Sequence, residues 1–322
     1  MKAMVQDSYG PLDKVLEVSE VDEPAIEDDE VLVRVAAASI HIGDCHGMRG
    51  VPYVMRPIFG LRRPKARIPG IDLAGTVERV GASVTQLERG DEVFGWGTGA
   101  FAEHAAAKAE HLLTRPDQLT VEQAAAIGVS AMTALKGIRD EGKVKSDQAV
   151  LVNGASGGVG SFAVQVAKSL GAEVTGVCGT RNIDLVKSIG ADHVIDYTAE
   201  DFTQGGPRYD LILDNVGNHS FSDTRRALKP DGKLLSNGAP VDGWFGGVDH
   251  VAAAMIQSVF VRQQGRPFVA LSDIGLLTEL RDLAEAGKIT PLIDGTYPLS
   301  ESPDAIVHVV EGHARGTAVI TM

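Results

Sequence analysis

The sequence predicts an α/β protein in which a doubly wound parallel sheet is inserted in a mainly β domain. Three observations carry that expectation. Strand-like and helix-like segments alternate from about Thr120 to Leu271, a glycine turn joins one such strand to one such helix, and the flanking segments read as short β runs.

Composition sets the outer limits. At 322 residues the chain is long enough for two domains with separate cores. The formal net charge of −13 argues against nucleic acid as a main partner, because no excess of Lys and Arg exists to neutralise phosphates. Two cysteines, Cys45 and Cys178, allow neither a disulfide framework nor a four-cysteine zinc site. The N-terminal MKAMVQDSYG lacks the apolar core of a signal peptide, and no apolar run approaches the roughly 18 residues of a membrane span. The expectation is a cytoplasmic protein with a small-molecule substrate and no membrane partner.

Taken in order, residues 1–123 form the first domain. Val15–Val18, Glu30–Val35, Gly75–Val80, Gly90–Gly95 and Phe101–Ala106 are β-type runs separated by Gly, Pro and acidic turns. Between Cys45 and Pro69 lies a long connection with four prolines and the cations Arg56, Arg62, Arg63, Lys65 and Arg67. It reads either as a solvated loop or as an electropositive flap near the mouth of a phosphate-bearing cofactor's site.

Residues 124–271 form the inserted domain. Thr120 caps a helix through Gln123 and Ala125, and a second helix runs from Ser130 through Ile138. Strands at Ala149–Val152, Glu173–Cys178, Val194–Asp196, Leu211–Asp214, Lys233–Ser236 and Pro267–Leu271 alternate with helices at Ser161–Leu170, Ile183–Ile189, Ser220–Leu228 and Val251–Phe260. Residues 272–322 return to the first domain, with helices starting at Ser272 and near Pro303 and a last strand at Thr317–Ile320.

The organising stretch is Gln148–Leu170. Apolar Ala149–Val152 has the length of a strand buried on both faces, and Phe162, Ala163, Val166, Ala167 and Leu170 recur at helical spacing. Between them Asn153–Gly160 matches G-x-G-x-x-G except that Ala155 replaces the first glycine. In this context the turn either lays a dinucleotide's pyrophosphate on the helix N-terminus or is simply a tight turn. An NAD site would place an acid at the end of the next strand, about 20 residues on. Here that strand ends Cys178-Gly179-Thr180-Arg181-Asn182, which offers donors and one bidentate cation to a 2′-phosphate. NADPH is therefore expected rather than NADH.

These segments resemble the medium-chain dehydrogenase/reductase superfamily, in its zinc-independent NADPH:quinone oxidoreductase-like branch. The likeness runs through AASIHIGD, IPGIDLAGTVERVG, GDEVFG, SAMTALKGI, NGASGGVGSFAVQVAKSLGAEVTGV, LVKSIGADHVIDY, DNVG and GHARGTAVI. It implies a GroES-like catalytic domain built from both chain ends, a Rossmann domain between them, an active site in the cleft, and a homodimer paired through the Rossmann sheets. It also implies that Ser156, Gly157, Gly158 and Val159 meet the pyrophosphate, with Gly179, Thr180, Arg181 and Tyr197 at the adenosine phosphate. Thr133, Asn215, Val216, Gly238 and Ala239 would line the nicotinamide half, and Arg315 and Gly316 would reach the cofactor from the closing segment.

In the zinc enzymes of the superfamily three ligands hold a catalytic metal. The resemblance places His41 at the first ligand, Ile71 at the second, and Val129 and Ser130 near the third. Two of three ligands are missing, so no zinc is expected; a rearranged set of His41, Cys45, His46 and Asp72 is the alternative set aside. Without metal another group must stabilise the oxygen that gains charge as hydride arrives. His41 is the first candidate, as polariser or proton donor, against a purely structural role. Tyr53 is a second donor, and Asp44 either orients His41 or caps a helix. His104, His111, His219 and His250 are read as structural. The expected activity is NADPH-dependent hydride transfer to a quinone or an activated alkene. The alternatives are a metal-free alcohol dehydrogenase or carbonyl reductase, and a non-catalytic NADPH-binding protein.

Overall fold

A computed structural model describes residues 1–238, 246, 261–268, 270–312 and 314–322. Ala239, His250 and the helix expected at Val251–Phe260 lie outside the described residues, as does Val269 of the strand expected at Pro267–Leu271. The chain divides into two compact units. One contains Met1–Met132, Ser272–Gly287 and Pro291–Met322; the other contains Thr133–Leu271 and Lys288–Thr290.

The first unit is built on a seven-stranded sheet. Its central strand, β3 (Glu30–Ile40), buries Val31, Leu32, Val33 and Val35 and is therefore covered on both faces. β3 pairs antiparallel with β4 (Asp72–Val80), β6 (His104–Lys108) and β15 (Thr317–Thr321), while β5 (Glu92–Trp96) and β7 (Leu112–Thr114) extend the sheet beyond β4 and β14 (Ile293–Pro298) beyond β15. β1 (Lys2–Gln6) and β2 (Leu16–Glu20) form a separate antiparallel pair. Met4, Leu73, Phe94 and Phe101 are among the largest fully buried side chains of this unit. β3 ends at Ile40, and helix Ile42–Arg49 begins immediately after His41. The register that pairs Ala38 with Leu73 carries Ser39 to Asp72, so the end of β3 and the start of β4 meet.

The second unit is a six-stranded, wholly parallel sheet in the order β10-β9-β8-β11-β12-β13. The strands are β8 (Ala149–Asn153), β9 (Glu173–Cys178), β10 (His193–Asp196), β11 (Tyr209–Asp214), β12 (Leu228–Ser236) and β13 (Gln264–Pro267). This is the doubly wound order whose direction of winding reverses between β8 and β11, the place where such sheets bind ligands beyond the strand C-termini. Helix Gly158–Ser169 packs Phe162, Ala163 and Val166 fully buried.

Several local expectations are corrected. The helix expected at Ser220–Leu228 is a single turn, Phe221–Thr224: Ser220 caps it, but β12 already starts at Leu228. The connection after Cys45 is not structureless, since it contains the end of helix Ile42–Arg49, a 3-10 turn at Tyr53–Met55 and a helical turn at Arg56–Phe59. The second helix of the inserted block runs Val129–Leu135 and widens into π geometry over Lys136–Glu141. β1, β7 and β14 had no counterpart in the sequence reading. Among the described residues no helix is long and apolar enough to cross a membrane.

Candidate active site

His41 is the N-cap of helix Ile42–Arg49, an unusual residue in a place that prefers Ser, Thr, Asp or Asn. It works because imidazole offers an acceptor. The Asp44 amide donates to His41 Nδ1 (3.2 Å), and the His41 amide donates to Asp44 Oδ2 (3.3 Å), giving a reciprocal capping box. An amide can only donate, so Nδ1 is the acceptor and the neutral ring carries its proton on Nε2. That Nε2 is buried without a hydrogen-bond partner. It lies 3.2 Å from Asp44 Oδ2 but outside hydrogen-bond geometry. Asp44 therefore takes both roles left open by the sequence, capping the helix and orienting the ring.

Asp72, 1% exposed, completes the cluster. Its Oδ2 accepts from the Val129 amide (2.9 Å) and from the Ser39 hydroxyl (3.2 Å), while Oδ1 is buried with no partner. Burial governs the electrostatics. Desolvation pushes the Asp44 carboxyl up to about 7, only partly opposed by its hydrogen bond from His41. Desolvation likewise pushes Asp72 up to about 6, with the His41 charge pulling the other way. It lowers His41, against the pull of Asp72. The close His41–Asp44 approach is accordingly not an ion pair, since burial favours the neutral form of each.

A pH dependence of stability follows. Both carboxyls have an ordinary value of 3.8 and titrate higher in the fold, so the folded protein binds their protons more tightly than the unfolded chain does. Their stabilising contribution is full below about pH 4 and is lost as pH rises through the folded-state values. His41, lowered from 6.5, acts in the opposite sense and costs stability as pH falls below that value. Urea unfolding of wild type and Asp44→Asn should therefore show the wild type losing stability relative to the variant between about pH 4 and pH 7.

Tyr53 is placed differently from these buried groups. It is 39% exposed, and its ring lies against the Arg56 guanidinium (4.5 Å), which also stacks on Tyr9 (4.7 Å). Ile71 is exposed next to Asp72, and Val129 and Ser130 start the helix whose first amide Asp72 holds. Among the described residues, one trio of His, Cys, Asp or Glu brings ligand atoms within 4.8 Å of one another: Glu23, Glu78 and His104. These are engaged in ion pairs, His104 Nε2 with Glu78 at 2.8 Å and Glu23 with Arg79 at 2.6 Å. His111 stacks on Trp96 and His219 packs edge-on against Phe202, both structural settings.

In the parallel-sheet unit the glycine turn fits a dinucleotide phosphate. Helix Gly158–Ser169 has Gly157 as N-cap with no side-chain cap, leaving its first amides to a ligand. A Cβ at Gly160 would lie 2.0 Å from the Gly154 carbonyl, so only glycine lets helix and turn approach this closely; a Cβ at Gly157 would meet nothing nearer than 3.6 Å. Asn182 Nδ2 donates to Ser156 Oγ (3.0 Å), which ties the turn to the end of β9. Gly179 faces Tyr197, and Arg181 and Tyr197 are exposed. Thr180 Oγ1 donates to Asp196 Oδ2 (2.6 Å). This bond and those from Thr198 hold the Asp196 carboxyl below its usual range, an anion at this end that the sequence reading overlooked.

A second network joins the ends of β8, β11 and β12. Asn153 Nδ2 donates to Asp214 Oδ1 (2.8 Å), Asn215 Nδ2 to the Asn153 carbonyl (3.1 Å), and Asn237 Nδ2 to Asn215 Oδ1 (3.2 Å). Asp214 also accepts from the amides of Val216 and Gly217. The structure thus brings Asn215, Val216 and Gly238 together, with Gly238 against the Asn215 carbonyl. Asn153 and Asp214 went unread, although polar residues ending buried strands are a usable signal. Thr133 is buried at the start of this unit. Arg315 and Gly316 lie in the other unit. The Arg315 amide is held by Asp294 (2.7 Å), and a Cβ at Gly316 would lie 2.3 Å from the Leu292 carbonyl, so packing alone requires that glycine.

A wholly parallel sheet in this order, with an uncapped glycine-rich helix N-terminus beside its switch point, is the architecture of a dinucleotide-binding protein. Comparison with known proteins makes this more specific. Residues 27–117 match the alcohol dehydrogenase GroES-like domain, and residues 189–320 match the family described as zinc-binding dehydrogenase. The chloroplast envelope quinone oxidoreductase homolog of Arabidopsis thaliana is 32% identical, over 99% of this chain and 98% of its own length. The NADPH-dependent alkenal/one oxidoreductase of the same plant is 30% identical, over 99% of this chain and 79% of its own. The quinone oxidoreductase of Coxiella burnetii superposes with a TM-score of 0.88 at 27% identity, covering 100% of this chain and 99% of its own. The chain belongs to the medium-chain dehydrogenase/reductase superfamily, within its quinone oxidoreductase-like group.

Proposed function

We propose that this protein is an NADPH-dependent reductase that delivers hydride to a quinone or to the β-carbon of an activated alkene without using a metal. The observation that carries this reading is the buried, unpartnered Nε2 of His41, at the position where zinc-dependent members of the superfamily place a ligand. Ile71, Val129 and Ser130 supply no ligands of the kind zinc requires, so the donor set does not fit that metal. Relatives named as quinone and as alkenal/one oxidoreductases support the two acceptor classes.

NADPH, when bound, supplies the hydride. Ser156, Gly157, Gly158 and Val159 would hold its pyrophosphate, with Gly179, Thr180, Arg181 and Tyr197 at the adenosine phosphate and Thr133, Asn215, Val216 and Gly238 along the nicotinamide half. Arg315, Gly316 and Ala239 are kept as further cofactor residues. His41 Nε2–H provides a fixed donor for the acceptor oxygen that becomes negative. A neutral imidazole gives up that proton only at great cost, so its part is to polarise. The Asp44 carboxyl, which keeps its proton up to about pH 7, is the local proton store. Tyr53 stands as the exposed second donor.

Residues 1–123 and 272–322 form the catalytic domain in this reading and 124–271 the cofactor domain, within a cytoplasmic homodimer. Sedimentation equilibrium at twice the chain mass of 33.9 kDa is the expected result. NADPH consumption with a panel of quinones, enones, aldehydes and alcohols tests the function. Turnover is expected with the first two groups; NADPH binding with no turnover of any acceptor would leave only a binding protein. Arg181→Ala should raise the NADPH KM about tenfold or more, the worth of a charged hydrogen bond, and leave the NADH KM unchanged.

A further inference from the structure

The acid that an NAD site places at the end of its second strand is missing from β9, which runs on into Gly179, Thr180, Arg181 and Asn182. The neighbouring strand supplies one instead. β10 pairs parallel with β9 so that Asp196 stands opposite Cys178, and the Tyr197 amide donates to the Cys178 carbonyl (3.1 Å). Those backbone contacts already join the two strand ends without the Asp196 side chain. Its carboxylate faces hydroxyls. Oδ2 accepts from Thr180 Oγ1 (2.6 Å), and Oδ1 accepts from the Thr198 hydroxyl (2.8 Å) and amide (3.0 Å). These bonds hold the carboxyl below its usual range, so it is an anion at neutral pH.

A hydroxyl has one proton to donate. That of Thr180 goes to Asp196, and that of Thr198, whose Oγ1 lies 3.2 Å from Thr180 Oγ1, goes to the same carboxylate. Thr180 therefore presents lone pairs outward. It can accept from a ribose 2′-OH but has no proton for a 2′-phosphate. Arg181, exposed and without an ion pair among the described residues, is the group left for that phosphate.

We propose that Asp196 is a specificity-determining residue for the cofactor: it turns Thr180 into an acceptor and sets a negative charge one hydroxyl away from it, which admits NADH and narrows the preference for NADPH conferred by Arg181. The inference rests on the cofactor reading of the glycine turn and the end of β9. Asp196 acts through Thr180 and is a positioning residue. A carboxylate and a phosphate of about two negative charges, separated by that hydroxyl at an exposed site, repel by about fivefold to tenfold in affinity.

Calorimetric titration of NADPH and NADH into the wild type, Asp196→Asn and Thr180→Val tests this without any turnover. In Asp196→Asn the side-chain oxygen still serves the Thr198 amide, while the NH₂ faces Thr180 and frees its proton. NADPH then binds about fivefold to tenfold more tightly and NADH gains nothing. Thr180→Val weakens NADH by about fivefold, the worth of one neutral hydrogen bond, and leaves NADPH within about twofold. Adenosine diphosphate ribose and its 2′-phosphorylated form reproduce both shifts, which locates them at the adenosine end. Unchanged affinities in Asp196→Asn overturn the inference and leave the cofactor reading intact. So does a Thr180→Val variant that loses NADPH affinity rather than NADH affinity, since Thr180 would then be donating to the phosphate. Should Asp196→Asn fail to fold, Thr180→Val alone decides. A wild type that binds neither nucleotide removes the cofactor reading and the inference together.

Discussion

Replacing His41 with Ala is expected to lower kcat/KM for quinone and enone acceptors by about 10²–10³-fold, the loss seen when one preorganised oxyanion donor is removed. The NADPH dissociation constant is expected to stay unchanged, because none of the residues proposed to hold the cofactor belongs to the cluster of His41, Asp44 and Asp72. The substitution also deletes a helix cap, for which about 1 kcal/mol of stability is at stake. His41→Asn separates the two effects, since its side-chain oxygen can still accept from the Asp44 amide and its NH₂ can still donate. Activity in Asn at least tenfold above that in Ala, at matched melting temperature, assigns the loss to the donor. An unchanged kcat in His41→Ala would make His41 a structural cap and nothing more.

Gly128→Ala is the second large effect, and it acts on stability. A Cβ at Gly128 would lie 2.1 Å from Asp72 Cγ and 2.2 Å from its Oδ2, the oxygen that holds the Val129 amide. Asp72 cannot yield cheaply: it is buried, hydrogen-bonded to Ser39, and is itself the first residue of β4. Overpacking of this kind costs about 1–3 kcal/mol, or roughly 2–4 °C in melting temperature per kcal/mol for a domain of this size. Exposing the Asp72 carboxylate to a new neighbour also disturbs the His41 cluster, so activity falls beyond what the melting curve accounts for. Calorimetry of the variant checks the first effect. A melting temperature equal to wild type would mean that the chain relaxes around Asp72 without penalty.

The parallel sheet was legible where its strands are apolar runs, as in β8, β9 and β11, and Glu173–Cys178 was read to the residue; the last strand was not, since polar Gln264–Pro267 forms β13 where the apolar Pro267–Leu271 was expected. Thr120 was legible as a cap because Gln123 stands three residues later, and the structure closes that capping box. β14 was not, since its Ile293-Asp-Gly-Thr-Tyr-Pro298 has neither alternation nor an apolar run and is held in place by pairing with β15. The helix after Ser220 failed for the opposite reason: its start signal was real, but pairing of Leu228 onto Tyr209 ended it early.

The site divides in the same way. Residues in the glycine turn and after β9 follow from local spacing, so their grouping was open to sequence reasoning. The His41 cluster depends on contacts across the chain. Asp72 reaches Ser39 and Val129, 33 and 57 residues away, and nothing local distinguishes it from a surface acid. Asp196 was missed because its effect arises from two threonine hydroxyls and not from its own position. His41 was singled out as a candidate donor, yet its tautomer follows only from the amide that faces Nδ1.

The most direct test of metal-free hydride transfer is NADPH-dependent reduction of a quinone and an enone by protein dialysed exhaustively against a chelator. The account predicts turnover equal to that of untreated protein and no gain when zinc is added. Activity abolished by the chelator and restored by zinc would contradict it, and would mean that His41 works as a ligand rather than as a hydrogen-bond donor.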